Sequence, residues 1–407
     1  MTQFLFSTGG EASLQANLAR LAAMAPLEPF SSPLRGFVTD FSKRLFSHPA
    51  LRQHPELATL AYWFRSSAVE KLARRLDGSA SELCVARGLV FHLAPANVDV
   101  LFAYAWLLSV LAGNSNLARL SQKSGAQRDV LLSILHSMRH DGSHAQVLDR
   151  TVLLTYPHDD AITAMVSLRC QARIVWGGDA TVAKIRSVPL APLAQELVFP
   201  DRFGIAVIKA SSMLVCSDPE LCDLVHRFNN DVLWFGQQAC SSPRTLFWVG
   251  DAAELAAARV RFWPEVRRQA RQVLDEPAAM MARVTDAHLM AALEPGMGIS
   301  GTLDAYPLTL QAPLADGRLR ELHSGNGLMI EVALGQLAEL AEQLDDRDQT
   351  LVQHGFSHEE LVGLVRRLGN RAIDRVVPFG RALDFHPVWD GVDLMSVLAR
   401  KISLPIR

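Results

Sequence analysis

The chain has 407 residues, 49% of them apolar and 20% charged, with a formal net charge of -2 at pH 7. That length exceeds one ordinary core and implies two domains or one large doubly wound unit, and the apolar fraction excludes general disorder. A charge so close to neutral, with no basic run, excludes electrostatic binding to a nucleic-acid backbone.

Met1 to Gly10 lacks the basic start and apolar core of a signal peptide. Residues 1–80 read as a helical segment, broken at Ser31-Ser32-Pro33 and Asp77-Gly78-Ser79. From Val85 the pattern changes to short apolar runs alternating with amphipathic stretches. Strands are expected at Gly88–Leu93, Asn116–Leu120, Thr151–Tyr156 and Arg173–Trp176, with helices at Asp99–Ala112, Gln127–Arg139 and Asp160–Leu168. This alternation argues for a parallel sheet covered on both faces. The most apolar stretch, Val100–Ala112, falls short of the roughly 20 residues that span a bilayer and reads as a helix buried against the sheet.

A second unit begins near Gly204. Strand Ile205–Lys209 leads to a helix at Pro219–Val232, a loop carrying Cys240, strand Thr245–Val249 and a long helix at Ala252–Leu274. Pro277–Leu322 is too weakly periodic to assign. Leu328–Leu334, Gly335–Leu344 and Glu359–Leu368 resume the alternation.

The five cysteines (Cys84, Cys170, Cys216, Cys222 and Cys240) form no C-x-x-C pair and are odd in number. A reduced, cytoplasmic protein is expected. Four of them sit in or beside apolar runs and read as inert buried thiols. Cys240 differs. It lies in Phe235-Gly236-Gln237-Gln238-Ala239-Cys240-Ser241-Ser242-Pro243, where Gly236 permits a tight turn and small neighbours leave room around the sulfur. Such a loop can expose a nucleophile.

This loop resembles the nucleophile loop of the aldehyde dehydrogenase superfamily, commonly Gly-Gln-x-Cys. In its Gln-Gln-Ala-Cys-x-Ser-Pro form it is similar to the LuxC-type fatty acyl-CoA reductases of bacterial luminescence. Four further segments follow the family order. Ala94-Pro95-Ala96-Asn97 resembles Pro-Trp-Asn at a strand end. Gly113-Asn114, then Arg119-Leu120-Ser121, resembles Gly-Asn-x-x-x-x-Lys-Pro-Ser. Val175-Trp176-Gly177-Gly178-Asp179 resembles the Phe-Thr-Gly-Ser loop, and Pro387 to Leu394 the C-terminal signature. Each match alone is weak, and five in order are specific.

The resemblance implies an α/β fold, with a Rossmann-type cofactor domain and a second α/β catalytic domain. The organisation it implies is an N-terminal helical segment at 1–80 and a dinucleotide-binding domain at 81–203. A catalytic domain follows at 204–372, and the C-terminal segment 373–407 returns to the cofactor domain or a subunit interface. It further implies catalysis by Cys240 as covalent nucleophile and Asn97 as oxyanion donor. A thioester attacked by a thiolate passes through an oxyanion, which needs donors fixed in advance. Pro95, Ala96, Arg119, Ser121, Gly177 and Gly178 are expected around the cofactor. The chain has no G-x-G-x-x-G, but Gly177 and Gly178 open a helix where backbone N–H groups meet a pyrophosphate. Arg119 stands where the superfamily usually has lysine. A guanidinium there suits a 2′-phosphate, so NADPH is expected rather than NADH.

Hydrolytic relatives carry Glu-Leu-Gly-Gly before the cysteine; here the stretch reads Phe199-Pro200-Asp201-Arg202-Phe203-Gly204. Without a base to deliver water, reduction of an acyl thioester is favoured over oxidation of an aldehyde, with Glu196 and Asp201 the nearest candidate bases. Near Gly325-Asn326-Gly327 there is no clean counterpart of the superfamily's Glu-x-Phe-Gly-Pro. His136, His140 and His144 read as a solvated helix end, not a metal site. His92 reads as a packed core histidine, and His226, before the Cys240 loop, is read the same way. Met280, Met281 and Met290 read as core. The expected activity is NADPH-linked reduction of an acyl-CoA, or of an acylated carrier or synthetase protein, to the aldehyde, by a homo-oligomer. A non-acylating aldehyde dehydrogenase, an acyl phosphate reductase and an inactive homologue that docks an acyl-transferring partner remain alternatives.

Overall fold

The computed structural model describes residues 2–9, 13–76, 82–94, 99–123, 125–271, 276–302, 304–314, 317–369 and 372–404. Two compact units emerge, Met1–Pro200 with Phe385–Arg407, and Asp201–Asp384.

The first unit holds β1 (Gln3–Phe6), β2 (Glu82–Ala86), β3 (Leu89–Leu93), β4 (Ser115–Arg119), β5 (Thr151–Thr155), β6 (Ala172–Trp176) and β7 (Gln195–Phe199). Six of these form one sheet in the order β1-β5-β4-β3-β6-β7, parallel except for β1. From β3 the order runs outward both ways, which is the doubly wound arrangement with its switch point beside β3. One face packs Leu89, Phe91, Leu117, Val152 and Val175 against Leu18, Leu21, Val166 and Val182. The other face carries the helix Asp99–Leu111, with no charged residue after Asp99 and nearly every side chain from Val100 onward buried. A helix apolar all round must be enclosed, and this one is. Its Trp106 donates from Nε1 to Thr151 Oγ1 at 3.2 Å and meets Phe37 and Phe41 edge-on.

β1 departs from the helical reading of the first 80 residues. Four residues are too few to show a period, and what makes Gln3–Phe6 a strand is its long-range antiparallel pairing with Leu153–Thr155. The helices Leu14–Ala23, Ser32–Phe46, Pro55–Trp63 and Ser66–Leu76 follow it.

The second unit holds β8 (Phe203–Lys209), β9 (Pro243–Val249), β10 (Gly298–Ser300), β11 (Leu308–Ala312), β12 (Leu328–Leu334), β13 (Asp348–His354) and β14 (Arg375–Pro378). They form one sheet in the order β10-β11-β12-β9-β8-β13-β14, parallel except for β10. Strand side chains alternate between two cores, as the two-residue strand period requires. Ala206, Ile208, Leu246 and Trp248 face the helices Asp218–Leu233 and Ala252–Ala270. Ile205, Val207, Phe247 and Val249 join Ala287 and Met290 of the helix Pro277–Leu293. The span 277–322, unassigned from sequence, thus supplies two helices and the strands β10 and β11.

After the second unit the chain returns to the first with β15 (Val388–Trp389), β16 (Val392–Asp393) and β17 (Ala399–Ser403). β17 pairs antiparallel with β2. Among the described residues no helix is long and apolar enough to cross a membrane.

Candidate active site

In the first unit a cavity of about 360 Å³ opens at the carboxyl ends of the central strands. Leu93 ends β3, Arg119 ends β4, Tyr156 follows β5 and Trp176 ends β6, and all four line it together with Thr181 and Lys184. Beside a switch point, this is where open parallel sheets bind ligands. Arg119 donates to Tyr156 O from Nη2 at 3.2 Å and from Nε at 3.4 Å, and its guanidinium lies 4.9 Å from the Tyr156 ring centroid. No ion pair to Arg119 forms among the described residues, so an aromatic face and a carbonyl orient a charge that no carboxylate neutralises. Lys184, by contrast, pairs with Asp160 at 3.2 Å. Trp176 stacks on Phe199 with centroids 3.8 Å apart, which fixes one wall.

Gly178 caps the helix Asp179–Arg186 without a side-chain hydrogen bond, so its first N–H groups look outward. Its φ of -63° suits any residue, and a Cβ there would meet nothing within 4 Å. No neighbour among the described residues demands glycine at this position. The open space before the helix is where a phosphate would approach. Gly177 donates its N–H to Phe199 O at 3.2 Å, and a Cβ on it would press Thr181 at 3.1 Å. Ser121 accepts the Lys123 N–H at 3.2 Å in a turn and does not line the cavity. Pro95, Ala96 and Asn97 lie outside the described residues.

In the second unit Cys240 sits at the amino-terminal edge of the sheet, just before β9. The helix Asp218–Leu233 is followed by a turn in which Phe235, Gly236 and Gln237 all have φ between 56° and 64°. Left-handed backbone at two non-glycine residues persists only where the surroundings hold it. The clamp is the fully buried Gln237 side chain. Its Nε2 donates to Pro243 O at 2.7 Å and to Leu328 O at 2.9 Å, and its Oε1 accepts the Gly327 N–H at 3.1 Å. The Asn326 N–H donates to Gly236 O at 2.8 Å, and Gln238 Nε2 to Ser324 O at 2.5 Å. The turn 323–328 is thereby stitched to the cysteine loop. On the other side a Cβ on Gly204 would come within 2.2 Å of Ser241 O, so the loop rests directly on the β8 backbone. Cys240 itself is half-buried.

A half-buried arginine and a buried histidine flank this loop. Arg244 donates from Nη1 to His323 O at 3.0 Å and stacks 4.5 Å from the Phe203 ring centroid. His323 receives the Gly325 N–H on Nδ1 at 3.0 Å and meets Leu328 O through Nε2 at 3.1 Å, which makes it neutral with the proton on Nε2. Burial and then the Arg244 charge push its pKa down to about 3.

The other expected groups fall elsewhere. Glu196 is engaged by Arg173 at 2.6 Å and by Arg186 at 3.6 Å, so its carboxylate is already committed; Asp201 is exposed. His92 is buried against Asn116 Oδ1 at 3.0 Å and held down to about 4 by burial. His136 meets Leu5 O, His144 meets Asp40, and His226 is exposed on its helix. Met290 is core, whereas Met281 is exposed. Cys170 is buried, with burial raising its pKa to about 12, and Cys84 and Cys216 are half-buried. Cys222 corrects the expectation of buried thiols: it projects from the polar face of its helix, where Arg268 and Gln269 donate to its sulfur. Sequence reasoning missed Gln237, Arg244 and His323 as parts of the site. The one available signal was the Gly-Asn-Gly turn at 325–327, which lies far along the chain from Cys240.

Comparison with known proteins is consistent with this geometry. Among curated proteins none matches the chain. Among solved structures, the NAD-dependent aldehyde dehydrogenase from Sinorhizobium meliloti superposes with a TM-score of 0.70 at 12% identity, over 100% of this chain and 92% of that one. Glyceraldehyde-3-phosphate dehydrogenase GapN from Methanocaldococcus jannaschii, complexed with NADP, gives 0.61 at 12% identity, over 95% and 87%. Proline utilization A from Bradyrhizobium japonicum gives 0.66 at 15% identity; the match covers 95% of this chain but only 44% of that longer protein. The fold is that of the aldehyde dehydrogenases. The family model described as acyl-CoA reductase (LuxC) matches residues 71–401, and the chain belongs to that family of oxidoreductases.

Proposed function

We propose that the protein reduces an acyl thioester to the aldehyde with NADPH, through an acyl intermediate on Cys240. The acyl donor is an acyl-CoA or an acylated carrier or synthetase protein. The observation that carries this reading is the Cys240 loop, a half-buried thiol on backbone that Gln237 clamps in a left-handed turn. Cys240 Sγ attacks the thioester carbonyl, the new C–S bond forms, and the donor thiol departs with a proton. Asn97 and the Cys240 backbone N–H are the proposed oxyanion donors. When bound, NADPH supplies a hydride that converts the acyl-cysteine to a thiohemiacetal, whose collapse releases aldehyde and restores the thiol.

Residues 81–203 are the proposed cofactor domain and 204–372 the catalytic domain. The cofactor class draws support from GapN, which was solved with NADP. Arg119, uncompensated by any carboxylate among the described residues, favours a 2′-phosphate. Glu196, held by Arg173 and Arg186, is a poor candidate for activating water.

The test is a coupled stoichiometry. Mixing protein, long-chain acyl-CoA and NADPH is expected to yield one free thiol and one aldehyde per NADPH oxidised. Oxidation of an aldehyde to acid with NADP⁺, and no reaction of acyl-CoA, would favour the non-acylating alternative. Absence of both reactions would leave the docking homologue.

A further inference from the structure

Among the described residues four charged side chains line the cavity of the first unit, Arg119, Asp159, Asp160 and Lys184, together with the imidazole of His158. How they pair decides what a bound phosphate meets. Arg119 rests on Tyr156 and forms no ion pair among the described residues. Asp159 caps the helix Asp160–Ser167, accepting the Ala161 N–H at 3.0 Å and the Ile162 N–H at 3.1 Å. The partial positive charge of the helix amino terminus offsets that carboxylate. Asp160 follows it in the chain and caps nothing. Its carboxylate is met by Lys184, which reaches from the last turn of the helix Asp179–Arg186 to within 3.2 Å.

Stability does not account for this pair. Its side chains are 51% and 67% exposed, and an ion pair so open to water adds little to folding. Its place does distinguish it, because both partners line the cavity that Arg119 enters. Without Lys184 the same wall would present a bare carboxylate, and a cleft with low-dielectric walls focuses such a field on whatever binds there. NADPH differs from NADH by a 2′-phosphate, with a charge of about -1.5 to -2 at pH 7, where NADH has a neutral hydroxyl. A bare Asp160 would therefore repel NADPH more than NADH. The pyrophosphate is common to both cofactors, so the ratio of their affinities isolates the 2′-phosphate.

We propose that Lys184 is a specificity-determining residue for the cofactor: by pairing with Asp160 it keeps that carboxylate from repelling the 2′-phosphate and so sustains the preference for NADPH. The inference rests on the reading that NADPH binds in this cavity with its 2′-phosphate towards Arg119. A lysine that only ties the two helices together would, when replaced, weaken both cofactors alike, so the readout is the NADPH to NADH affinity ratio. Both are titrated by calorimetry into wild type, Lys184→Met, Asp160→Asn, the double variant and Lys184→Arg, in about 0.1 M salt, where the screening length is about 10 Å. His158 is common to every variant and cancels in the comparison.

Lys184→Met is expected to lower the ratio about three- to tenfold, the scale of one partly screened charge acting on a phosphate. Asp160→Asn raises the ratio, and Lys184→Arg, which keeps the pair, leaves it unchanged. In the double variant neither charge remains, and the ratio returns to within about twofold of wild type. Equal weakening of NADPH and NADH in Lys184→Met would overturn the proposal. A ratio that stays low in the double variant would overturn it too, since Lys184 would then be the direct ligand of the phosphate. Should Lys184→Met not fold, Asp160→Asn decides the matter, and an unchanged or lowered ratio there overturns the proposal. Failure of the underlying reading has a different signature, namely a wild type without preference for NADPH and a ratio that Arg119→Ala does not move.

Discussion

Replacing Gln237 by alanine removes the whole clamp on the cysteine loop at once. The side chain is fully buried and makes three hydrogen bonds, to Pro243 O at 2.7 Å, Leu328 O at 2.9 Å and the Gly327 N–H at 3.1 Å. Each is worth about 0.5–1.5 kcal/mol net, and every buried partner left unpaired adds a desolvation penalty. The sum is about 3–5 kcal/mol, set against a typical total stability of about 5–15 kcal/mol. Gln237→Glu makes an instructive companion. Its carboxylate still accepts from Gly327 but cannot donate to two carbonyls, so it is expected to be at least as damaging. Urea denaturation gives the stability, and aldehyde formation per folded molecule gives the effect on the loop. With the left-handed turn unsupported, activity should fall further than the folded fraction does. A stability loss under about 1 kcal/mol with activity retained would refute the clamp.

Three further outcomes are expected. Cys240→Ser abolishes aldehyde formation while cofactor titration by fluorescence is unchanged, whereas serine at Cys84, Cys170, Cys216 or Cys222 affects stability at most. Arg119→Ala weakens NADPH by about 1.5–3 kcal/mol, as for a lost charged hydrogen-bond pair, and NADH much less, measured by calorimetry. His323 has its folded pKa lowered from 6.5 to about 3, so its contribution is full above about pH 6.5 and is lost as pH falls towards 3. The stability difference between wild type and His323→Asn should therefore shrink between pH 7 and pH 5; a difference that grows on acidification would reverse the assigned protonation state.

Much of the sheet framework was legible because parallel strands buried on both faces are short apolar runs. Gly88–Leu93 and Asn116–Leu120 appear within a residue of β3 and β4, and Asp99–Ala112 is the enclosed helix. What escaped were the elements whose structure comes from distant partners. β1 is a strand through Leu153–Thr155, and β11 is a strand through β12, which lies beyond the weakly patterned stretch, with β10 paired in turn on β11. The site divides in the same way. The Cys240 loop and the glycines at 177 and 178 announce themselves locally, by small residues between a helix and a strand. Gln237, Arg244 and His323 do not, because their meaning lies in hydrogen bonds between the 236–244 segment and the 323–328 turn. A glutamine at φ 64° looks like an ordinary loop residue until its partners are known.

We propose that Cys240 carries the acyl group and that, among the described residues, none is placed to hydrolyse it. The direct measurement is to mix the protein with acyl-CoA alone, without NADPH, and weigh it by mass spectrometry. The expected result is the protein mass plus one acyl group, mapped to the Cys240 peptide, persisting until NADPH discharges it as aldehyde. Rapid release of free fatty acid from Cys240, or an acyl group on any other residue, would contradict the account.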